Sequence, residues 1–183
     1  MKVLGFCGLP GSGKSTAISA IQDLGIVINM GDVVRNEAKS KNIEPTDENL
    51  GKIARQLRER YGRGIIAKRC VQLIKNLETE VVFVDGIRSV VEVDVFKENW
   101  KFPLIEIFTK NAIRRKRILD RSRSDDPRVL SNILAREERE TEFGIREVLL
   151  KADYKILNNS TKETLSRKIR KIVLKILKNY YLF

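Results

Sequence analysis

Near the start of the chain, Gly8-Leu9-Pro10-Gly11-Ser12-Gly13-Lys14-Ser15 satisfies the spacing GxxxxGK[ST]. Glycines at 8, 11 and 13 let a backbone curl tightly with its N–H groups turned inward, which makes a cradle for phosphate oxygens. Lys14 brings positive charge to β- and γ-phosphates, and the Ser15 hydroxyl is suited to ligate Mg²⁺. Pro10, Ser12 and Thr16 complete the stretch expected to touch a nucleotide. Two further segments pair an acid with an arginine: Gly31-Asp32-Val33-Val34-Arg35 and Asp85-Gly86-Ile87-Arg88. Asp85 ends a strongly apolar run, a position from which a carboxylate holds the water shell of a phosphate-bound Mg²⁺. Asp32 and Arg35 also fit a plainer reading, a helix start with a solvated arginine.

These residues need a scaffold. Lys2–Cys7, Glu80–Asp85 and Pro103–Thr109 are short, rich in Val, Ile and Phe, and apolar on both faces, as buried parallel strands are. Gly25–Met30 and Tyr154–Leu157 are weaker strand candidates. Apolar residues at helical spacing predict helices over Lys14–Leu24, Asp32–Lys39, two stretches between Thr46 and Leu77, Ile113–Ser122, Leu130–Lys151 and Thr161–Tyr180. Alternating strands and helices predict one α/β domain over residues 1–183, with a parallel sheet of about five strands covered on both faces. Residues 36–76 form a helical excursion between the second and third strands, and residues 110–150 a second one.

The combination resembles the P-loop nucleoside-monophosphate kinases of the adenylate kinase type. It is closer still to the archaeal adenylate-kinase-related proteins, which have dephospho-CoA kinases among their relatives. The resemblance rests on Gly8–Thr16, Gly31–Arg35 and Asp85–Arg88, and extends over nearly the whole chain. It implies a P-loop NTPase fold, with ATP and Mg²⁺ as cofactors and a small nucleotide-type acceptor. Arg35 and Arg88 would grip the acceptor phosphate, and Asp32 and Asp85 would organise Mg²⁺ through water. Residues 36–76 would be the acceptor flap. Adenylate kinases read DGFPR where this chain has Asp85-Gly86-Ile87-Arg88, one residue shorter and without proline. A nucleoside monophosphate and dephospho-CoA both remain compatible acceptors. So does a P-loop ATPase or switch that acts on RNA or a protein partner.

The run Arg114-Arg115-Lys116-Arg117, continued by Arg121, Arg123, Asp125 and Asp126, resembles the arginine-bearing lid of short-lid kinases. Phosphoryl transfer needs in-line positioning and positive charge over the moving group. Arg117, Arg121 and Arg123 are the catalytic candidates beside Lys14 and Arg88, with Arg136 and Arg139 on the next helix. The alternative is a solvated basic helix face. Ala152–Ser160 resembles the last strand and loop of such kinases, where backbone groups read the base; Asn158 and Asn159 are read there as turn formers. Tyr61, beside Gly62 and Gly64, is read as packing.

Composition removes other chemistries. There are no histidines, so no mechanism uses one as base, ligand or phospho-acceptor. Cys7 and Cys70 give neither a disulfide framework nor a four-ligand zinc site. The net charge of +12 lies in two places. Residues 110–128 carry eight basic against three acidic groups, residues 151–183 nine against two, and the rest of the chain balances. Such an excess suits polyanions, nucleotide phosphates or nucleic acid among them. No apolar run reaches the roughly 20 residues of a membrane span. MKVLGFC leads straight into the glycine loop, so the protein is expected to be soluble and cytoplasmic.

Overall fold

The computed structural model describes residues 1–120 and 130–182. Five strands, β1 (Lys2–Cys7), β2 (Ile26–Asn29), β3 (Val81–Asp85), β4 (Leu104–Phe108) and β5 (Tyr154–Leu157), form one sheet in the order β2-β3-β1-β4-β5. Every pairing is parallel. The glycine loop leaves β1 at the centre, between β3 on one side and β4 on the other, and the chain changes sides of β1 in passing from β3 to β4. In open parallel sheets the crevice at that switch point, outside the carboxyl ends of the strands, receives ligands. Register sharpens this: Phe6 and Asn29 both lie opposite Asp85, so the turns after β1, β2 and β3 open at one level.

Side-chain alternation along the strands makes two cores. Val3, Cys7, Val82, Val84 and Leu104 face α2 (Met30–Ser40), α3 (Asp47–Tyr61), α4 (Ile65–Lys75), α5 (Val90–Lys97) and α8 (Ile145–Leu150). Leu4, Phe6, Phe83, Ile105, Ile107 and Ile156 face α1 (Lys14–Ser19) and α9 (Lys162–Lys178). Two more helices, α6 (Asn111–Asp120) and α7 (Leu130–Phe143), stand over the carboxyl edge. Cys7 and Cys70 are buried, and loss of hydration in the core pushes both thiols up to about 12, so neither is a nucleophile. Among the described residues no helix is long and apolar enough to cross a membrane.

Three boundaries differ from the periodicity. α1 stops at Ser19, and the chain continues in tight turns in which Ile21 donates to Ile18 and Leu24 to Ile21. Apolar residues three apart fit those turns as well as they fit an α-helix. The long helix expected over 130–151 is two helices, α7 and α8, parted by Gly144 in the left-handed region. α5 has no counterpart in the apolar pattern, because Val90-Val91-Glu92-Val93-Asp94-Val95 alternates like a strand.

A capping box makes α5 a helix. Ser89 Oγ accepts the Glu92 N–H, and Glu92 Oε2 accepts the N–H groups of Arg88 (2.8 Å) and Ser89 (3.2 Å). The other Glu92 oxygen takes Arg58 of α3 at 2.7 Å, with Glu92 fully buried. One carboxylate thus starts α5, fixes the turn carrying Arg88 and docks α3. Removing one partner of such a buried pair leaves an uncompensated charge, so Glu92→Ala is expected to lose about 3–5 kcal/mol in urea unfolding. Retention of wild-type stability in that variant would show that the pair holds nothing together.

Candidate functional site

The glycine loop carries three positive-φ glycines, Gly8, Gly11 and Gly13. At all three glycine is also required by space, a Cβ on Gly8 coming within 2.5 Å of the Ile107 carbonyl. A Cβ on Gly11 would meet the Arg114 carbonyl at 2.5 Å, and one on Gly13 would collide with the Asn158 amide. Its shape is held from outside by three later elements. Arg114 of α6, only 2% exposed, donates to the Pro10 carbonyl at 2.8 Å. Asn158, just after β5, donates its side-chain amide to the Ser12 carbonyl at 2.8 Å. The Thr109 hydroxyl, at the end of β4, lies 2.9 Å from the carbonyls of both Ser12 and Asn158 and shares one proton between them. These donors tie the loop's carbonyls to the scaffold. The amides that open α1 have no intrahelical acceptor and are the polar groups left for a ligand. Lys14 Nζ rests on the Gly8 carbonyl at 2.5 Å.

A cavity of about 460 Å³ extends from this loop. Gly8, Pro10, Gly11, Ser12, Gly13, Lys14, Ser15 and Thr16 line it, with Arg117, Asn158 and Ser160. Asp85, opposite Phe6 at the end of β3, also lines it, as do Arg35, Arg88, Arg136 and Glu140. Asp32 is not among the lining residues; it pairs with Arg35 at 2.6 Å and its side chain is 62% exposed. Asn29, rather than Asp32, caps α2 by accepting the Gly31 N–H at 2.8 Å. Asp85 Oδ1 is buried with no hydrogen-bond partner. An orphaned carboxylate oxygen on a residue lining a cavity beside a phosphate-cradling loop fits a hydrated divalent cation.

The arginines arrive in acid-paired form. Arg88 lies 3.4 Å from Glu140, and Arg136 Nε is 3.7 Å from Glu140 and 3.4 Å from Asp47 at the start of α3. Arg139 pairs with the same Asp47 at 2.5 Å and does not line the cavity. Arg117 donates to the carbonyls of Asn158 and Ser160, over the loop that follows β5. Arg121 and Arg123 lie outside the described residues. Tyr61 is half exposed, with the guanidinium groups of Arg60 and Arg69 over its ring.

Several working residues were hidden from sequence reasoning. Asn158 was read as a turn former, yet its side chain braces the loop. Arg114 sits in a run of basic residues and is the buried member of it. Its partner Glu137 lies 2.9 Å away and also takes Arg115 at 3.0 Å. Burial alone would raise the Glu137 carboxyl, but hydrogen bonds and charge from Arg115 and Arg114 outweigh it and hold it below the ordinary 4.5. Glu140 gave one signal: with Arg136 it forms an i, i+4 pair on one face of α7.

Comparison with known proteins gives a consistent picture. Residues 7–134 match the AAA domain family. A UPF0200/UPF0201 protein of Archaeoglobus fulgidus is 46% identical over 98% of this chain, which spans only 57% of that relative's length. A UPF0200 protein of Methanosarcina barkeri is 39% identical, covering 98% of this chain and 96% of the relative. Among solved structures, shikimate kinase from Aquifex aeolicus aligns with a TM-score of 0.56 at 18% identity, covering 98% of each chain. TT1252 from Thermus thermophilus aligns at 0.62 and 18% identity, over 96% of this chain and 97% of that one. The fold is that of P-loop kinases.

Two outcomes follow from the bracing. Asn158→Ala leaves the Ser12 carbonyl short of a donor and is expected to cost about 1–3 kcal/mol by denaturant unfolding; an unchanged midpoint would show the brace to be idle. Because the folded-state Glu137 pKa is depressed, its contribution is complete above about 4.5 and lost as pH falls through the folded value. The Tm gap between wild type and Glu137→Gln is therefore largest at neutral pH and narrows below pH 4.5. A gap that stays constant down to pH 3 would refute the linkage.

Proposed function

The chain belongs to the UPF0200 family, with an AAA domain over residues 7–134, and from that premise we propose that it is an ATP- and Mg²⁺-dependent phosphotransferase acting on a small nucleotide-type acceptor. The observation that carries this reading is that a single cavity is lined both by the phosphate-cradling loop and by Arg35, Arg88 and Arg136. A hydrolase or switch needs the first set only. A transferase needs both, because a second anion must be held in line with the γ-phosphate.

In this reading Lys14 exchanges the Gly8 carbonyl for β- and γ-phosphate oxygens, and Arg117 covers the nucleotide end. Arg35 and Arg88 bind the acceptor. An acceptor oxygen forms a bond to the γ-phosphorus as the bond to the bridging oxygen breaks, and ADP leaves with that electron pair. Mg²⁺ would be held by Ser15 and, through water, by Asp85, and would offset the negative charge of the phosphates. Asp32 acts through Arg35, whose guanidinium it orients from the solvent side. Arg121 and Arg123 remain candidates for the transferring phosphoryl group.

One observation favours a second acceptor chemistry. Glu140 places a carboxylate, 4% exposed, inside the cavity beside Arg88. A phosphate acceptor is already ionised at neutral pH and gains nothing from a base, whereas an alcohol, as in dephospho-CoA, does.

The test is ADP production from Mg·ATP across nucleoside monophosphates and dephospho-CoA, with product mass as the readout and Lys14→Ala as the blank. One acceptor is expected to stimulate turnover and gain a phosphate, with the rate down about 100-fold or more in Lys14→Ala. Slow ATP hydrolysis that no acceptor stimulates would overturn transfer in favour of a P-loop ATPase acting on RNA or a protein partner.

A further inference from the structure

The opposite edge of the sheet carries a second cavity and an unpaired run of charge. The cavity, about 560 Å³, lies where β4 and β5 begin; Trp100 and Tyr154 line it with partly exposed rings, while Phe102 and Tyr180 in its wall are each 3% exposed. Lys97, Lys101 and Lys175 stand around those rings. The one carboxylate in its lining, Asp153, has an oxygen committed to the Leu104 N–H at 2.7 Å. Lys175 also belongs to the outward face of α9, where Arg167, Lys168, Lys171 and Lys178 are exposed as well. Those positions span about 16 Å of helix at 1.5 Å per residue. Arg167, Lys171, Lys175 and Lys178 form no ion pair with any described residue. Arg170, on the flank, is neutralised by Asp23 through two 2.7 Å bonds. The unpaired charge is thus gathered on the face that adjoins the aromatic cavity.

We propose that this α9 face and the adjoining aromatic cavity form a docking surface for single-stranded nucleic acid, separate from the phosphoryl-transfer cavity. Lysines in a row bind a chain of phosphates, and rings set beside them give bases a place to stack. A membrane surface fits less well. The apolar face that a membrane-bound helix would insert, Leu165, Ile169, Val173 and Ile176, is consumed in the core against the sheet. An acidic protein would meet the lysines but have no use for the rings. This inference does not depend on the acceptor or on phosphoryl transfer, because the aromatic cavity and the Lys175 end of α9 sit at the amino ends of the strands and the P-loop at their carboxyl ends.

Fluorescence anisotropy with labelled 12-nucleotide oligo(U) and oligo(A) RNA tests it, using the full chain with and without Mg·ATP. Binding is expected for both sequences and is expected to weaken steeply with salt. The triple variant Lys171→Glu, Lys175→Glu, Lys178→Glu is expected to weaken it at least 10-fold and to flatten the slope of log K against log salt by about 2, at ~0.7 per phosphate contact. Tyr154→Ala, at a ring that is 37% exposed, is expected to weaken binding without changing that slope. Both variants should keep wild-type ATP binding. The proposal is overturned by absence of RNA binding at 50 mM salt, by unchanged affinity in the triple variant, or by binding to phosphatidylserine vesicles but not to RNA. Should the triple variant fail to fold, the salt slope of the wild type and the Tyr154→Ala result decide the matter alone.

Discussion

The Pro10 and Ser12 carbonyls have to be held from outside the glycine loop if its amides are to face a ligand, and the rest of the architecture serves that requirement. A backbone segment cannot offer its N–H groups inward while its carbonyls go unsatisfied in a buried setting. The donors come from Thr109, Arg114 and Asn158, which lie about 100 to 150 positions away in sequence. They reach the loop because β4 is paired directly with β1, and β5 with β4. The sheet order therefore does more than bury apolar surface. It delivers two strand ends and the base of α6 to the one loop that cannot be stable by itself.

A second constraint is electrostatic. Arg88, Glu140, Arg136, Asp47 and Arg139 form an alternating series of charges from the turn after β3, across α7, to the start of α3. At the 3.4–3.7 Å separations of its inner members, each contact is worth far more in a desolvated cavity than in bulk water. The series solves the problem of keeping several guanidinium groups close together before any anion arrives. In the proposed reaction it would make acceptor binding an exchange, with an incoming phosphate or carboxylate competing with Glu140 for Arg88. Selectivity then depends on whether the ligand offers those arginines better geometry than Glu140 does, as bidentate oxyanions do.

Much of this was legible in the sequence, and the illegible part has physical causes. The five strands, the glycine loop and the placement of Arg35, Asp85, Arg88 and Arg117 around one cavity follow from local signals, since glycine spacing and apolar runs act over a few residues. The helix α5 was missed because its β-branched, alternating residues favour a strand, and the capping carboxylate of Glu92 overrides that preference. Thr46 caps α3 by accepting the Asn49 N–H, so both partners of that bond lie within one short stretch of sequence. Asn158 was not recognisable as a brace, because its partner is 146 residues away. Arg114 differs from Arg115 and Lys116 only in which side of α6 faces the loop. Asp32 was assigned toward the metal on the strength of resemblance, whereas here its carboxylate turns to Arg35 on the exposed side.

The position of the helical excursions follows from the same parallel order. Each crossover must leave a carboxyl end and return to an amino end, so the extra chain after β2 and β4 lies beside the crevice, with α2–α4 and α8 packed against one face of the sheet. α2–α4 take one bank and α6–α8 the other, and Arg139 packed against Gly51 joins the two. A Cβ at Gly51 would come within 2.8 Å of that guanidinium. The approach of α7 to α3 is thus set by the smallest side chain on α3. The glycine loop is fixed by the sheet and its braces, whereas Arg35, Arg136 and Glu140 reach the cavity from helices of the two banks. Such an arrangement lets one nucleotide-binding frame accept different acceptors through changes confined to those two banks.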